Sequence, residues 1–407
     1  MNYQYFGIDN KIIIIMVGLP ARGKSYTSNS LCRYLTWSGY KCKVFNSGKL
    51  RRSLYPECNK AEFFNPDNKN NNLRLEKISI QCFIKMIEWL KQNGQIGIFD
   101  ATNSTIKRRQ ELIKLISQYK LDCSTIFIEI LCNNSKLIHN NITMKKFSDD
   151  YKEMSNSEAI NDFKVRLNYY TSKYQEVDNS ENINYIKLIK ESNSLILNNV
   201  YGIIEGQITS YLQNLKINKH PIYITRHGES IYNTENRLGG DSDLTEAGLL
   251  YSDRLFKYID NLHPNELTVF TSCLKRSKMT GRHFSQTIES NLLNEINAGI
   301  CENMTYKEAE EKYSELFKSR KDNKLHFRYP GGESYMDILE KLKLFILNLE
   351  CVNQPILIIS HRAVIRVLLA YFLNYPLTEM PHKEISLNRV IKLIPTSDNY
   401  KLQYVNL

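Results

Sequence analysis

Apolar runs separated by glycines and polar clusters organise the first half of the chain. Residues 12–17 (IIIIMV) are apolar without a helical period, the pattern of a strand buried on both faces, and the run stops at Gly18. Residues 26–37 then read as a helix that ends near Gly39, and 41–46 (KCKVFN) as a second strand. A polar loop at 65–72 leads into a long helical pattern at 73–90, closed by Asn93 and Gly94. A short strand ends at Asp100, 107–118 reads as a helix, and 124–132 (STIFIEILC) as another apolar strand. Residues 140–178 are mostly helical in pattern, IKLI and LILNNV are strand-like, and 202–215 reads as a helix before a linker at 216–221. Beyond the linker, 221–230, 269–284 and 354–373 each run from a strand into a turn or helix. The alternation predicts an α/β protein with a doubly wound parallel sheet in its N-terminal part.

The residues at the ends of these strands carry the chemistry. Gly18, Gly23, Lys24 and Ser25 fill G-x-x-x-x-G-K-[ST] between a strand and a helix, the signature of a phosphate-binding loop. In such a loop backbone N–H groups turn inward around a polyphosphate, and the next helix points its positive end at it. Lys24 is placed to reach the β/γ-phosphates and the Ser25 hydroxyl to ligate Mg²⁺. A strand-terminal acid such as Asp100 often merely caps a helix; beside this loop it reads as the Walker B partner for the metal. Arg51 and Arg52 follow the second strand, where open α/β sheets place their ligands, and read either as phosphate contacts or as a solvated basic turn. Cys132 ends a strand on the same side, and by itself is a small buried hydrophobe. In the second half, Arg226 and His227 end one strand, Arg276 lies near the end of another, and His361 with Arg366 follows a third. Strand-terminal histidines with arginines point to a phosphoryl site, where arginine clamps oxygens and histidine attacks phosphorus.

Composition narrows the setting. The 407 residues suffice for two domains, each with its own core. A net charge of +11 admits nucleic acid, acidic membranes or phosphorylated substrates, but no basic run chooses among them. Nine cysteines without a C-x-x-C pair argue against a zinc site and for a reducing compartment. No stretch of 18 apolar residues is present and the N-terminus has no signal-peptide pattern, so the expectation is a cytoplasmic protein with no membrane partner.

The motifs together resemble a known family. TRHGE at 225–229 looks like the signature of the histidine phosphatase, or phosphoglycerate mutase-like, superfamily. With a phosphate-binding-loop kinase ahead of it, the chain is similar to the bifunctional 6-phosphofructo-2-kinase/fructose-2,6-bisphosphatase family. GLPARGKSY, KVFNSGKLRR, FFNPDN, FDATN, GGDSDL, TSCLKR, YPGGESY and SHRAVIRVLLAYFL carry the resemblance almost end to end. It implies a P-loop kinase domain at 1–218 and a phosphoglycerate mutase-like α/β domain at 219–407. For the kinase it implies that Gly18, Leu19, Pro20, Ala21, Arg22, Gly23, Lys24, Ser25 and Tyr26 hold ATP, with Asn141 and Lys146. Asp100 and Ser25 would hold Mg²⁺. Arg51, Thr102, Arg108, Lys146, Arg166 and Tyr170 would hold fructose 6-phosphate, with a further arginine near Arg74. Lys24 and Lys146 would stabilise the transferring phosphoryl group, and Cys132 falls at an active-site position. For the phosphatase it implies His227 as nucleophile, Glu295 as the acid for the leaving O2, and His361, Arg226 and Arg276 around the phosphoryl group. Asn233, Gly239, Tyr306, Arg320, Lys324, Tyr335 and Arg366 match sugar-bisphosphate contacts. Arg362 stands where animal members commonly have glutamine, and its charge is expected to tighten bisphosphate binding or slow product release.

The resemblance also implies a homodimer. The short N-terminal arm and the end of the chain soon after the last strand lead to the expectation that the phosphorylated regulatory tails of some relatives have no counterpart, leaving regulation to substrate and product levels. Two rivals remain at this stage. A nucleic-acid end-processing kinase/phosphatase fits the charge, but no interleaved aromatic-basic patch supports a nucleic-acid partner. A non-catalytic nucleotide sensor does not need Lys24, Asp100, His227, Glu295 and His361 together.

Overall fold

The isoleucine run sits at the centre of the first sheet. In the computed structural model, which describes residues 11–407 except 57, 59, 146–148, 152–153, 218, 264–265 and 397–398, Ile12, Ile13, Ile14, Ile15, Met16 and Val17 are all buried. Lys146, nominated for three roles above, lies outside the described residues. The chain divides into two units, the first running to Gln213 without Trp37–Gly39, the second comprising Asn214–Leu407 with Trp37–Gly39.

The first unit follows the order β1 (Lys11–Val17), α1 (Lys24–Trp37), β2 (Cys42–Asn46), α2 (Ser47–Leu54), α3 (Lys69–Gln92), β3 (Ile96–Asp100), α4 (Ile106–Gln118) and β4 (Cys123–Leu131). Then come α5 (Ser135–Lys145), α6 (Asn156–Thr171), β5 (Tyr185–Ile189), β6 (Ser194–Asn198) and α7 (Ile203–Asn214). The sheet order is β2-β3-β1-β4-β5-β6, parallel except for β6. Ile13, Ile15 and Val17 pack one face of β1 against Phe83, Met86 and Leu90 of α3 and Leu112 of α4. The ends of β1, β3 and β4 therefore converge on the glycine loop, the place where parallel sheets hold ligands.

Local chemistry moves several boundaries. Residues 47–54, for which no element was expected, form α2 because the Asn46 side chain accepts from Lys49 N and so caps the helix. Asn68 caps α3 in the same way and starts it at Lys69, four residues ahead of the apolar pattern. The helical stretch 140–178 divides into α5 and α6, the latter started by a Ser155–Glu158 capping box.

The second unit contains β7 (Ile222–Arg226), α8 (Ile231–Thr234), α9 (Glu246–Leu262), β8 (Thr268–Ser272), α10 (Lys275–Thr280), β9 (Ile288–Ser290), α11 (Tyr306–Lys312) and α12 (Ser314–Asp322). It closes with α13 (Tyr335–Glu350), β10 (Ile356–Ser360), α14 (Arg362–Leu373), β11 (Arg389–Pro395) and β12 (Tyr400–Asn406). Its sheet order is β12-β11-β7-β10-β8-β9, parallel from β7 to β9, with β11 and β12 added antiparallel. Among the described residues no helix is long and apolar enough to cross a membrane.

Candidate active site

Register builds the second-unit site. β7 and β10 pair in parallel with Arg226 opposite Ser360, so the residues that follow, His227 and His361, emerge side by side. Their ring centroids are 5.1 Å apart, and both side chains are almost fully buried. Glycine at 228 is a packing requirement, because a Cβ there would sit 2.5 Å from Gly248 O. His227 Nδ1–H donates to the Gly228 carbonyl at 2.7 Å, leaving the Nε2 lone pair to accept from Arg276 Nε at 3.2 Å. Burial, with Arg276 and Arg226 nearby, holds the His227 pKa well below the ordinary histidine value. The imidazole is therefore neutral and presents an unprotonated Nε2. Burial, with Arg276, His227 and Arg226, holds His361 low as well; its Nε2 pairs with Ser272 Oγ at 2.7 Å.

Around this nitrogen lies a cavity of about 510 Å³. Arg226, His227, Asn233, Gly239, Arg276, Glu295, Tyr306, Arg320, Lys324, Tyr335, Arg362 and Arg366 all line it. His361 alone among the nominated residues is not part of the lining; it lies against His227. Seven lysine and arginine side chains face one carboxylate, Glu295, so the cavity is built for a polyanion. Glu295 Oε1 accepts from Ala363 N at 3.2 Å, at the start of α14. Arg366 is fixed by Lys383 O at 2.6 Å and by the Tyr335 hydroxyl at 2.7 Å. Arg226 donates to Ile385 O at 3.1 Å, and burial and the neighbouring Arg362 pull its pKa down to about 10. Burial and Arg366, Arg320 and Arg362 bring Lys324 down to about 8. Sequence reasoning missed Glu302, whose carboxylate takes Gly240 N at 2.5 Å and Ala298 N at 2.6 Å and so shapes the loop that carries Gly239. It missed Ser272 too, although TSCLKR contains it.

The first-unit site is organised by the loop after β1. Gly18 has φ +135°, and a Cβ there would lie 2.8 Å from Ile130 O. Gly18 N donates to Thr102 O at 3.1 Å, and Asn103 Nδ2 to Met16 O at 2.8 Å, which fastens the loop to the FDATN segment. Asn141 Nδ2 donates to Ala21 O at 2.9 Å. Lys24 Nζ reaches back to Leu19 O at 2.8 Å, so the lysine lies over the loop spanning Leu19, Pro20, Ala21, Arg22 and Gly23. Ser25 and Tyr26 occupy the first turn of α1. Asp100 is buried at the end of β3, with Asn46 Nδ2 bonded to Oδ2. Cys132 is buried one residue beyond β4, and burial pushes its thiol pKa up.

Three of the proposed sugar contacts meet. Arg51 and Arg166 share Asp150, at 2.7 and 3.3 Å, and both guanidiniums lie over the Phe64 ring, at 5.0 and 3.7 Å. The Tyr170 ring is 6.2 Å from Phe64. Arg108 is bonded to Ser79 Oγ at 2.8 Å, and Arg74 is exposed on α3. Asp150 and Phe64, which set this cluster, were not foreseen individually.

Comparison with known proteins covers both units. The 6-phosphofructo-2-kinase family model matches residues 3–219, and that of the histidine phosphatase superfamily (branch 1) matches 222–407. A 6-phosphofructo-2-kinase/fructose-2,6-bisphosphatase of Arabidopsis thaliana is 39% identical over 95% of this chain, which spans about half (52%) of that protein's length. The human 6-phosphofructo-2-kinase/fructose-2,6-bisphosphatase 3 is 36% identical, over 97% of this chain and 76% of its own. A Saccharomyces cerevisiae protein named fructose-2,6-bisphosphatase is 38% identical, over 99% of this chain and 90% of its own.

Proposed function

The chain belongs to the 6-phosphofructo-2-kinase/fructose-2,6-bisphosphatase family, and we propose that it carries both activities. One unit forms fructose 2,6-bisphosphate from ATP and fructose 6-phosphate. The other hydrolyses it back to fructose 6-phosphate and phosphate, so the chain sets the level of a glycolytic regulator. The observation that carries the reading is the neutral His227, its Nε2 lone pair held toward a cavity rich in arginine that also contains Glu295.

In the phosphatase, His227 Nε2 attacks the 2-phosphoryl group while Glu295 gives a proton to the departing O2. Water, deprotonated by Glu295, then attacks the phosphohistidine and releases phosphate. Arg226 and Arg276 clamp the phosphoryl oxygens, and Arg320, Lys324, Arg362 and Arg366 take the rest of the bisphosphate. His361, anchored by Ser272, packs beside the nucleophile.

In the kinase, the loop from Gly18 to Tyr26 and Asn141 hold ATP, and Lys24 and Lys146 stabilise the transferring phosphoryl charge. Arg51, Arg166 and Tyr170 hold fructose 6-phosphate, with Thr102 and Arg108. Ser25 and Asp100 offer the hard oxygen donors Mg²⁺ prefers. Among the described residues no group of three or more His, Cys, Asp or Glu is arranged to hold a metal, as fits an ion carried mainly by substrate phosphates. Bound there, Mg²⁺ would neutralise charge on the β- and γ-phosphates. All nine cysteines are free, which supports a cytoplasmic setting. A homodimer through the kinase unit completes the reading.

The test supplies γ-labelled ATP, Mg²⁺ and fructose 6-phosphate to the parent and to His227→Ala. Labelled fructose 2,6-bisphosphate is expected to accumulate in the variant and to turn over to labelled phosphate in the parent. Equal accumulation in both sinks the phosphatase half, and no product in either sinks the kinase half.

A further inference from the structure

The segment after α14 is shared between two cavities. Its carbonyls hold two arginines of the phosphatase pocket, Lys383 O taking Arg366 and Ile385 O taking Arg226. Its other side lines a separate cavity of about 400 Å³. The floor there is Leu369 and Ile385, both buried.

Two cations face this space, each laid over an aromatic ring. Lys383 Nζ is 4.6 Å from the Tyr375 centroid, and the Arg389 guanidinium 5.1 Å from that of Tyr404. Arg389 Nε donates to Asn406 Oδ1 at 2.9 Å, which fixes the plane of the fork. The Lys383–Glu379 pair, at 3.2 Å, is partly exposed and weak, so it competes little with a ligand. An arginine fork beside a lysine suits a phosphoryl group. Glu384 and the Ser386 hydroxyl complete the lining; a carboxylate there repels polyphosphates and accepts hydroxyl protons. The volume is in the range of small-molecule sites.

We propose that this cavity binds a small hydroxylated phosphate monoester, and that its occupancy weakens bisphosphate binding in the phosphatase pocket. Phosphate is held by Lys383 and Arg389, hydroxyls by Glu384 and Ser386. Drawing Lys383 toward the ligand shifts the carbonyls on which Arg366 and Arg226 rest, and by linkage each ligand weakens the other. The coupling concerns the bisphosphatase reading above, and hydrolysis without added phosphoester tests that reading separately.

The probe is glycerol 2-phosphate, titrated into the fructose 2,6-bisphosphate hydrolysis assay of the full chain. KM is expected to rise and then level off, roughly fivefold above its starting value. In Arg389→Ala the starting KM stays unchanged and the rise disappears; Lys383→Ala, whose backbone contact is retained, loses the rise as well. A KM that climbs linearly without limit, alike in parent and variants, is plain competition in the phosphatase pocket and overturns the proposal. So does no change in KM. Inorganic phosphate, which lacks hydroxyls, is expected to act far more weakly; equal potency overturns the monoester assignment.

Discussion

Lys324 is the residue whose charge the phosphatase pocket controls most visibly. Burial and three arginines, Arg366, Arg320 and Arg362, bring its pKa to about 8, so it is charged at pH 7 and loses its proton as pH rises through 8. A bisphosphate bound there needs the charged form. kcat/KM for fructose 2,6-bisphosphate hydrolysis, which reports the free enzyme, is therefore expected to fall above about pH 8. In Lys324→Arg, where the side chain stays charged, that alkaline limb should move up or vanish; a limb unchanged in the variant removes Lys324 as its cause. Legibility at this scale was uneven for a physical reason. His227 directly follows a strand and Arg276 lies near the end of another, a local signal. Glu295 has none, because its role depends on Ala363 N, 68 residues away. Ser272 likewise reaches the site through His361, 89 residues on. Such partners are set by sheet register, which one sequence read locally does not contain; Glu295 was reached only through family resemblance.

The loop between β1 and α1 is the element on which the kinase depends, and Gly18 is its tightest point. At φ +135° any side chain is strained, and the Cβ of alanine would meet Ile130 O of β4, a backbone atom held in a central strand. Gly18→Ala is expected to cost roughly 1–3 kcal/mol of local strain. Read as rate, that is about a five- to 160-fold loss of fructose 2,6-bisphosphate formation. Hydrolysis of the same compound, performed in the other unit, should keep its parent rate; parallel loss of both would show the change to be global unfolding. Elements of this kind were legible because long apolar runs such as residues 12–17 admit one reading. α2 was not: SGKLRRSL has only two apolar residues and buries Arg51, and its helicity starts from the Asn46 cap. The C-terminal hairpin escaped for a similar reason, since β12 alternates exposed and partly exposed residues and draws its order from pairing with β11.

At the scale of the whole molecule the open question is the edge of the first sheet. Among the described residues β6 ends the strand order, pairing with β5 on one side only, and is the one antiparallel strand in that sheet. Edge strands of monomers are usually protected by charge, bulges or covering elements. Here Ile196 and Leu197 of β6 are each 47% exposed, and Tyr201 and Ile203, just beyond the strand, are more exposed still. Four large apolar side chains around a free edge are costly in water and fit a second copy of the chain, whose own β6 offers the same groups in a self-complementary, two-fold pairing. Light scattering behind a sizing column is expected to give twice the 47.6 kDa chain mass for the parent. The double variant Ile196→Lys with Leu197→Lys should elute at the single-chain mass, because a charged edge disfavours strand addition. Each proposed site lies within one unit, so the variant should retain both activities to within about a factor of two, the scale of surface substitutions. A parent that runs at 47.6 kDa at micromolar concentration, or a variant that stays paired, would rule out dimerisation through this edge.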